Sequence, residues 1–538
     1  MANYLFTLTI TPVQSFISQA RKTKDLFAGS EILSNLMKEV IGSEVLTSQK
    51  FELIYPYFNK DEDKSSFPNK IVISFENITQ DGIEKIGQKL EEFINNKFYK
   101  NGLSILIKTV REINLENMSG CNSKIKIDND FVESYFKPQL CNFFQIFWVA
   151  VELKDAYQES YKKLEQSLGA IKNLRTFEQL RQCGYRKCSI CGERNGLFYN
   201  RNKKLSFLFP KAINIQNNKA IDENETLCAV CFTKRFYIDK ENKNSYPSTA
   251  DIVMLNRKNE LNGEDAHLYL EEKYSGKKKS YALIHFDIDD MGKTLSGLNR
   301  MQQEKLSEVL GEFSQKAKEV VNKNGETIYA GGDDFLGFVN LEYLFDVIEE
   351  IQKIFSYKVR DYEVENEKIF SSLTYSTSIL IAHYKAPLHK VLDFSRELLD
   401  ITKKYFGDEK NGVGIMVISS NAINAQTICK YEDLELLNDM REKKIGMNLH
   451  YKLKSIFRFF DENTLAYIEY EYQIKMLEYE IKRLLEREQG NFNDEIYKKL
   501  IDFLHRQVNN LNTENKIIID FDNFIGYLKT LEQLKKVI

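Results

Sequence analysis

Ala330-Gly331-Gly332-Asp333-Asp334-Phe335 is the stretch on which the reading of this chain turns. It sits between two apolar runs, Thr327-Ile328-Tyr329 and Phe335-Leu336-Gly337-Phe338-Val339. Adjacent glycines permit positive φ or close backbone approach, so the stretch reads as strand, tight turn and strand with two carboxylates at the tip. Upstream, Tyr281-Ala282-Leu283-Ile284-His285-Phe286 runs as a strand into Asp287-Ile288-Asp289-Asp290-Met291-Gly292. Strand alternation puts Asp287 and Asp289 on one face, and Gly292-Lys293 suggests a turn into a helix. Between the two acidic segments, Leu306, Val309, Leu310, Phe313, Ala317 and Val320 recur at helical spacing, predicting a helix over 302–322. A strand-helix-strand-strand order of this kind brings the two acidic tips together.

Hard divalent ions such as Mg²⁺ prefer carboxylate and carbonyl oxygens together with water and substrate phosphates. Two such ions can clamp the attacking and leaving oxygens of an in-line phosphoryl or nucleotidyl transfer. Gly-Gly-Asp-Asp alone also describes an ordinary hairpin with a solvated acidic tip. The second acidic strand sets the metal reading above that one.

The Gly-Gly-Asp-Asp hairpin, the Asp287–Lys293 segment and the opening Thr11-Pro12-Val13-Gln14-Ser15-Phe16-Ile17 together resemble the large catalytic subunit of type III CRISPR effector complexes in its Cmr form. The resemblance implies an α+β fold with two ferredoxin-like, nucleotidyl cyclase-like palm domains, a zinc-binding insert and a C-terminal α-helical domain. The expected limits are 1–170 for a degenerate first palm, 171–275 for the zinc-binding part, 276–420 for the catalytic palm and 421–538 for the helices. Setting Thr9-Ile10-Thr11 beside Asp287-Ile288-Asp289 suggests a diverged duplication in which carboxylates have become threonines. Relatives often carry a histidine-aspartate nuclease domain ahead of the first palm. Here the first histidine is His267 and no adjacent His-Asp pair occurs, so that domain and its DNA cutting are not expected.

In the leading reading, Asp287, Asp333 and Asp334 are catalytic and hold Mg²⁺ or Mn²⁺, with the Ile288 carbonyl as a further ligand. Asp289 helps from nearby, and Gly331 and Gly332 let the backbone approach the phosphates of ATP. The Ser376-Thr377-Ser378 strand and the helix ending in Lys403-Lys404 resemble the nucleotide side of cyclase palms, which puts Ser378 and Lys403 at the substrate. The resemblance implies cyclic oligoadenylates as product, formed by 3′-5′ nucleotidyl transfer when the guide CRISPR RNA pairs with target RNA. One alternative keeps the site but joins AMP to S-adenosylmethionine as co-substrate; another is a non-catalytic RNA-binding scaffold. The implied partners are the two RNAs, a small helical subunit at the C-terminal domain, and the backbone and guide-end subunits of the complex.

Cys188-Ser189-Ile190-Cys191 and Cys228-Ala229-Val230-Cys231 form two Cys-x-x-Cys knuckles. Their spacing predicts a structural Zn²⁺ on Cys188, Cys191, Cys228 and Cys231, four thiolates leaving no open position. Arg21, Lys22 and Lys24, and a second basic run from Lys172 to Lys204, are read either as solvated faces or as RNA contacts. At 43% hydrophobic and 28% charged the chain can build a sizeable core, and a net charge of −3 argues against a uniformly basic nucleic-acid binder. The most apolar stretch, 143–151, falls far short of the roughly 20 residues a membrane span needs. A cytoplasmic protein without a membrane partner is expected. Beyond Ser420, Phe457, Leu465, Ile468, Tyr472, Ile474, Leu477, Ile481 and Leu484 recur at helical spacing and predict an all-α domain.

Overall fold

The structure, a computed structural model, describes residues 2–57, 67–118, 125–141, 143–154, 156–174, 184–200, 207–215, 220–237, 246–255, 266–273, 278–364, 367–419, 422–446, 448–458, 467–487, 493–511 and 516–538. β1 (Ala2–Thr11), β2 (Phe51–Tyr55), β3 (Lys70–Ile78) and β4 (Gln145–Glu152) form an antiparallel sheet in the order β2-β3-β1-β4. The helix Thr23–Ile41 lies between β1 and β2 in sequence, and the 39-residue helix Gln80–Met118 between β3 and β4. This β-α-β-β-α-β order is ferredoxin-like. Phe6, Leu8 and Ile10 enter the core under the two long helices, while Leu5 packs on the other face against Tyr161, Leu164 and Leu168 of the helix Tyr157–Asn173. Both faces are covered, so β1 reads as a continuous buried run rather than an alternating one.

A short helix follows Thr11-Pro12. It spans only Gln14–Ser18, and the chain restarts at Thr23–Ile41, where the Asp25 side chain accepts from the Lys22 and Arg21 amides. The polar residues from Asn114 onward begin inside the long helix, and 119–124 lie outside the described residues.

β5 (Phe198–Tyr199), β6 (Ile213–Asn214) and β7 (Thr226–Leu227) make a small sheet beside the cysteines. The short helix Ala229–Arg235 leaves Cys228 and ends in two fully buried cations. Lys234 Nζ donates to Phe16 O and Gln19 O, and Arg235 forks between Asp25 (2.5 and 2.8 Å) and Glu225 (2.9 and 3.2 Å). The cysteine module is thereby locked onto the start of the first palm's helical layer.

β8 (Ser280–Ile288), β9 (Gly325–Ala330), β10 (Asp334–Asn340), β11 (Tyr375–His383), β12 (Gly412–Ser419) and β13 (Ala422–Lys430) form the second sheet, ordered β13-β12-β11-β8-β10-β9. Its portion β11-β8-β10-β9 reproduces β4-β1-β3-β2. The helix predicted over 302–322 spans Arg300–Asn324, its start fixed by a reciprocal Asn299 and Gln302 cap. Pairing makes the repeat specific. Thr9 faces Lys70 as Asp287 faces Asp334, and the Ile10 amide donates to Asn69 O (3.0 Å) as the Ile288 amide donates to Asp333 O (2.9 Å).

β13 carries the second sheet past the limit expected at 420, because Ala422–Lys430 pairs antiparallel with β12. Helices Tyr431–Glu442, Leu449–Ile456, Tyr470–Glu486, Asp494–Arg506 and Phe521–Val537 follow, interrupted by the hairpin β14 (Val508–Leu511) and β15 (Lys516–Ile519), so the region is not purely helical. Ile474, Leu477, Ile481 and Leu484 join one continuous core with the second sheet. Gly526 lets the last helix press on β13, since a Cβ there would stand 2.1 Å from Gln426 O. No helix among the described residues is long and apolar enough to cross a membrane.

Candidate active site

Two turns build the acidic site. Asp287 is the partly exposed penultimate residue of the otherwise buried β8, Asp334 opens β10, and the two are directly opposed in register. The bond from the Ile288 amide to Asp333 O clips one turn to the other. Each glycine of the hairpin has its own task. Gly332 sits at φ +92°, a conformation side chains rarely adopt, and its amide donates to Ser314 Oγ (2.9 Å). Gly331 makes room for the Tyr329 phenol, which would stand 1.7 Å from any Cβ there. The expected glycine freedom is present, though at Gly331 a protein side chain uses it.

Three carboxylates in one place repel one another. Burial first, then the charges of Asp334 and Asp287, push Asp333 up to about 7. Burial also raises Asp287, against the opposing pull of Lys403. Lys403 reaches back from the end of the helix Leu388–Tyr405 to pair with Asp287 Oδ2, and lies 4.0 Å from Asp289 Oδ1. A cation thus already sits against the acidic cluster, as the charge balance demands. Oxygen-only donors carrying excess negative charge suit a hard divalent ion, so Asp287, Asp333 and Asp334 fit the group expected of them.

Asp289 acts from nearby through the turn, whereas Ser378 takes a different place from the one expected. Asp289 is buried, and its two oxygens accept from Thr374 Oγ1 (2.8 Å), Ser376 Oγ (2.9 and 3.1 Å) and the Asn411 amide (3.1 Å). Those donors occupy it as a brace of the turn rather than a group facing substrate. Ser378 is fully buried, 3.0 Å from Ser395 Oγ and 3.5 Å from His285 O, one layer beneath the acids. Burial removes it from direct contact with a nucleotide.

Two residues escaped the sequence reading. His285 Nε2 lies 3.2 Å from Asp334 Oδ1. Its available signal was the i, i+2 spacing to Asp287 on one strand face. Tyr55, at the end of β2 in the first palm, donates to Asp333 Oδ1 at 3.4 Å. No local pattern near residue 55 announces that contact.

Among the described residues the four cysteines are the tight metal-type cluster, with every Sγ within 4.8 Å of the others. Zn–S bonds of about 2.3 Å in a tetrahedron space the sulfurs about 3.8 Å apart. Cys191 Sγ and Cys228 Sγ stand at 3.8 Å, and the Cys231 amide donates to Cys228 Sγ at 3.4 Å. The donor set fits a structural zinc. Of the basic residues singled out, Lys22 pairs with Asp222 (3.2 Å), Arg21 approaches Glu225 (3.9 Å) and Arg194 lies over the Phe143 ring. These are contacts inside the protein; Arg175, Arg181, Arg201, Lys203 and Lys204 lie outside the described residues.

Comparison with known proteins agrees with this architecture. The sequence model for the second palm domain of Cas10/Cmr2 matches residues 280–413, and that for the N-terminal part of CRISPR-associated protein Cmr2 matches 5–102. The CRISPR system Cmr subunit Cmr2 of Pyrococcus furiosus is 24% identical, over 97% of this chain and 75% of its own length. A chain in the structure of type III-B Cmr-beta bound to cognate target RNA shares the fold at a TM-score of 0.65 and 14% identity, covering 99% of this chain and 83% of itself. A chain of the Csm1-Csm4 cassette in complex with pppApApA shares it at 0.50 and 14% identity, covering 100% and 70%. With its second palm matched by the Cas10/Cmr2 palm model, its N-terminal part by the Cmr2 model, and 97% of its length aligned to a Cmr2 subunit, the chain is similar to the Cmr2 subunits of type III-B CRISPR effector complexes.

Proposed function

We propose that this chain is the nucleotidyltransferase of an RNA-guided Cmr complex, using ATP to make an oligoadenylate second messenger. The observation that carries the reading is the direct opposition of Asp287 and Asp334 with Asp333 beside them, while the neighbouring Asp289 is committed to bracing the turn. Asp287, Asp333 and Asp334 hold divalent metal, which when bound supplies activation of a ribose 3′-hydroxyl and charge neutralisation at the attacked α-phosphate. Lys403 leaves Asp287 and turns to the triphosphate, where an ammonium serves as a point charge. The Tyr55 hydroxyl holds Asp333 from the side of the first palm. The first palm takes no metal in the same way, because Thr9, Asn69 and Lys70 stand where Asp287, Asp333 and Asp334 stand in the second.

The fold it shares with a cassette solved with pppApApA supports an adenylate product, and the fold it shares with a chain from a target-bound Cmr-beta complex supports RNA and Cmr subunits as partners. The exposed stripe Tyr472, Met476 and Tyr479 is a surface on which a helical partner subunit would dock. Zinc on the four cysteines staples the module to the first palm. The decisive experiment incubates the assembled complex with labelled ATP and Mg²⁺, with and without matching target RNA, and weighs the products. A target-dependent adenylate lost in Asp333→Ala/Asp334→Ala is expected, and its mass names the acceptor, S-adenosylmethionine included where it is supplied. Untouched ATP in wild type that still binds target RNA would replace this reading with a scaffold.

A further inference from the structure

His285 is about nine-tenths buried on β8, two residues before Asp287. Its Nε2 stands 3.2 Å from Asp334 Oδ1 and its Nδ1 3.4 Å from Ser395 Oγ. A carboxylate offers only lone pairs, so the hydrogen of this contact rides on Nε2. Behind the ring, Ser395 Oγ is 3.0 Å from Ser378 Oγ, and both serines are fully buried. The imidazole is therefore held from the back by Ser395 of the helix Leu388–Tyr405, itself backed by Ser378 of the neighbouring strand β11, and points its N–H at one oxygen of Asp334. That leaves Oδ2 as the oxygen available to a ligand shared with Asp287, its register partner.

We infer that His285 is a positioning residue for the metal-holding carboxylate Asp334. Held by Nε2, the carboxylate cannot rotate freely about its terminal torsion, so a single oxygen is presented in a fixed direction. Partners of this kind orient ligating carboxylates, and losing one typically costs 10–100-fold in metal affinity. Ser378 and Ser395 thereby gain a purpose the nucleotide reading did not supply: they fix the ring that fixes Asp334. The inference rests on the reading of Asp287, Asp333 and Asp334 as a metal site.

The test measures Mn²⁺ affinity of the zinc-saturated full-length chain by electron paramagnetic resonance, without any turnover. Gln carries its amide nitrogen about as far from Cα as Nε2, whereas Asn reaches only the Nδ1 position facing Ser395. Both are small polar replacements that keep the buried site hydrogen-bonded. His285→Gln is expected to bind Mn²⁺ within a few-fold of wild type, and His285→Asn to bind about 10–100-fold more weakly. Equal affinity of His285→Asn and wild type, or equal weakness of the two variants, overturns the positioning role. Asp334→Asn separates the two claims. If it loses Mn²⁺ while His285→Asn keeps it, the metal site stands and the role of His285 falls. If wild type itself binds no Mn²⁺ at these residues, the metal reading falls and takes the inference with it.

Discussion

The Tyr55 hydroxyl of the first palm donates to Asp333 Oδ1 of the second at 3.4 Å, across 278 residues of sequence. Tyr55 ends β2, and the equivalent position of the second palm, Ala330, ends β9 beside the glycine turn. The contact makes the acidic site a joint property of both palms. It also means that a palm without carboxylates still contributes to the one that has them.

Tyr55→Phe keeps the ring and removes the donor. A hydrogen bond to a carboxylate contributes about 1.5–3 kcal/mol and this one is long, so adenylate formation is expected to fall about tenfold with little change in melting temperature. The donor favours the ionised form of Asp333, so the loss is greater at pH 6.5 than at pH 8. Equal loss at both pH values in a Mg²⁺ titration would show that Tyr55 acts by packing alone.

Asp333 stands at about 7 in the folded, metal-free protein, against an ordinary carboxylate value of 3.8. Between those values the folded state holds a proton that the unfolded chain has released, so stability falls as pH rises from about 4 to about 7. Above that window the repulsion is fully expressed. Asp333→Asn removes it, and without divalent metal the variant is expected to melt a few degrees higher than wild type at pH 8 and at nearly the same temperature at pH 4. Mg²⁺ is expected to stabilise wild type more at pH 8 than at pH 6 and to leave the variant nearly unmoved. Differential scanning fluorimetry across the four conditions reads this directly.

Much of the second palm was legible because its signals are local. The apolar run Tyr281–Phe286, the helical spacing from Leu306 to Val320 and the paired glycines each declare an element within about twenty residues. Each cysteine knuckle is equally local, and the two together announce the four-cysteine cluster that the fold assembles. Ser378 was misplaced, and the partners of Asp289 were out of sight, because a sequence shows which strand carries a hydroxyl or carboxylate but not which groups will reach it. Asp289 meets Thr374, Ser376 and Asn411 only after β11 and the turn before β12 have packed. Tyr55 was invisible for the same reason on a larger scale. β13 was lost in the polar run after Ser420, since Ala422-Ile423-Asn424-Ala425-Gln426 alternates too weakly to outweigh the helical pattern beyond it.

Arg235 is the pin between the cysteine module and the first palm, and Asp25 and Glu225 are both fully buried beneath it. Removing one partner of a buried ionic group leaves charge without compensation and costs about 3–5 kcal/mol. Arg235→Ala is expected to lower the melting temperature sharply, while Arg21→Ala, whose 3.9 Å approach to Glu225 is half-exposed, changes it little. Chelation of the metal is expected to loosen the same contact. Hydrogen exchange should then rise over 14–25 as well as over 184–237. Protection at 14–25 that survives both chelation and Arg235→Ala would show that the first palm holds that segment unaided.

Lys70 occupies in the first palm the place that Asp334 occupies in the second, opposite Thr9, and its charge helps to lower the value of Asp333. It also pairs with Glu165 at 2.6 Å. Where an aspartate would have completed a second metal site, the chain carries a cation that relieves part of the repulsion in the first. Lys70→Gln removes that relief without adding charge, so Asp333 rises further and Mg²⁺ must compete with a more tightly held proton. The Mg²⁺ concentration for half-maximal adenylate formation is expected to increase by a factor of about 2–5 at pH 7, a change of under 1 kcal/mol, as suits a partly exposed charge acting at a distance. The difference should shrink as pH rises, because a deprotonated Asp333 no longer distinguishes the two proteins. Lys70→Asp should not create a second site, since Asn69 and Thr9 supply no carboxylate beside it, and it is expected to weaken the existing one further. A Lys70→Asp protein that bound additional Mn²⁺ at undiminished activity would show that the first palm had kept a metal geometry its side chains no longer use.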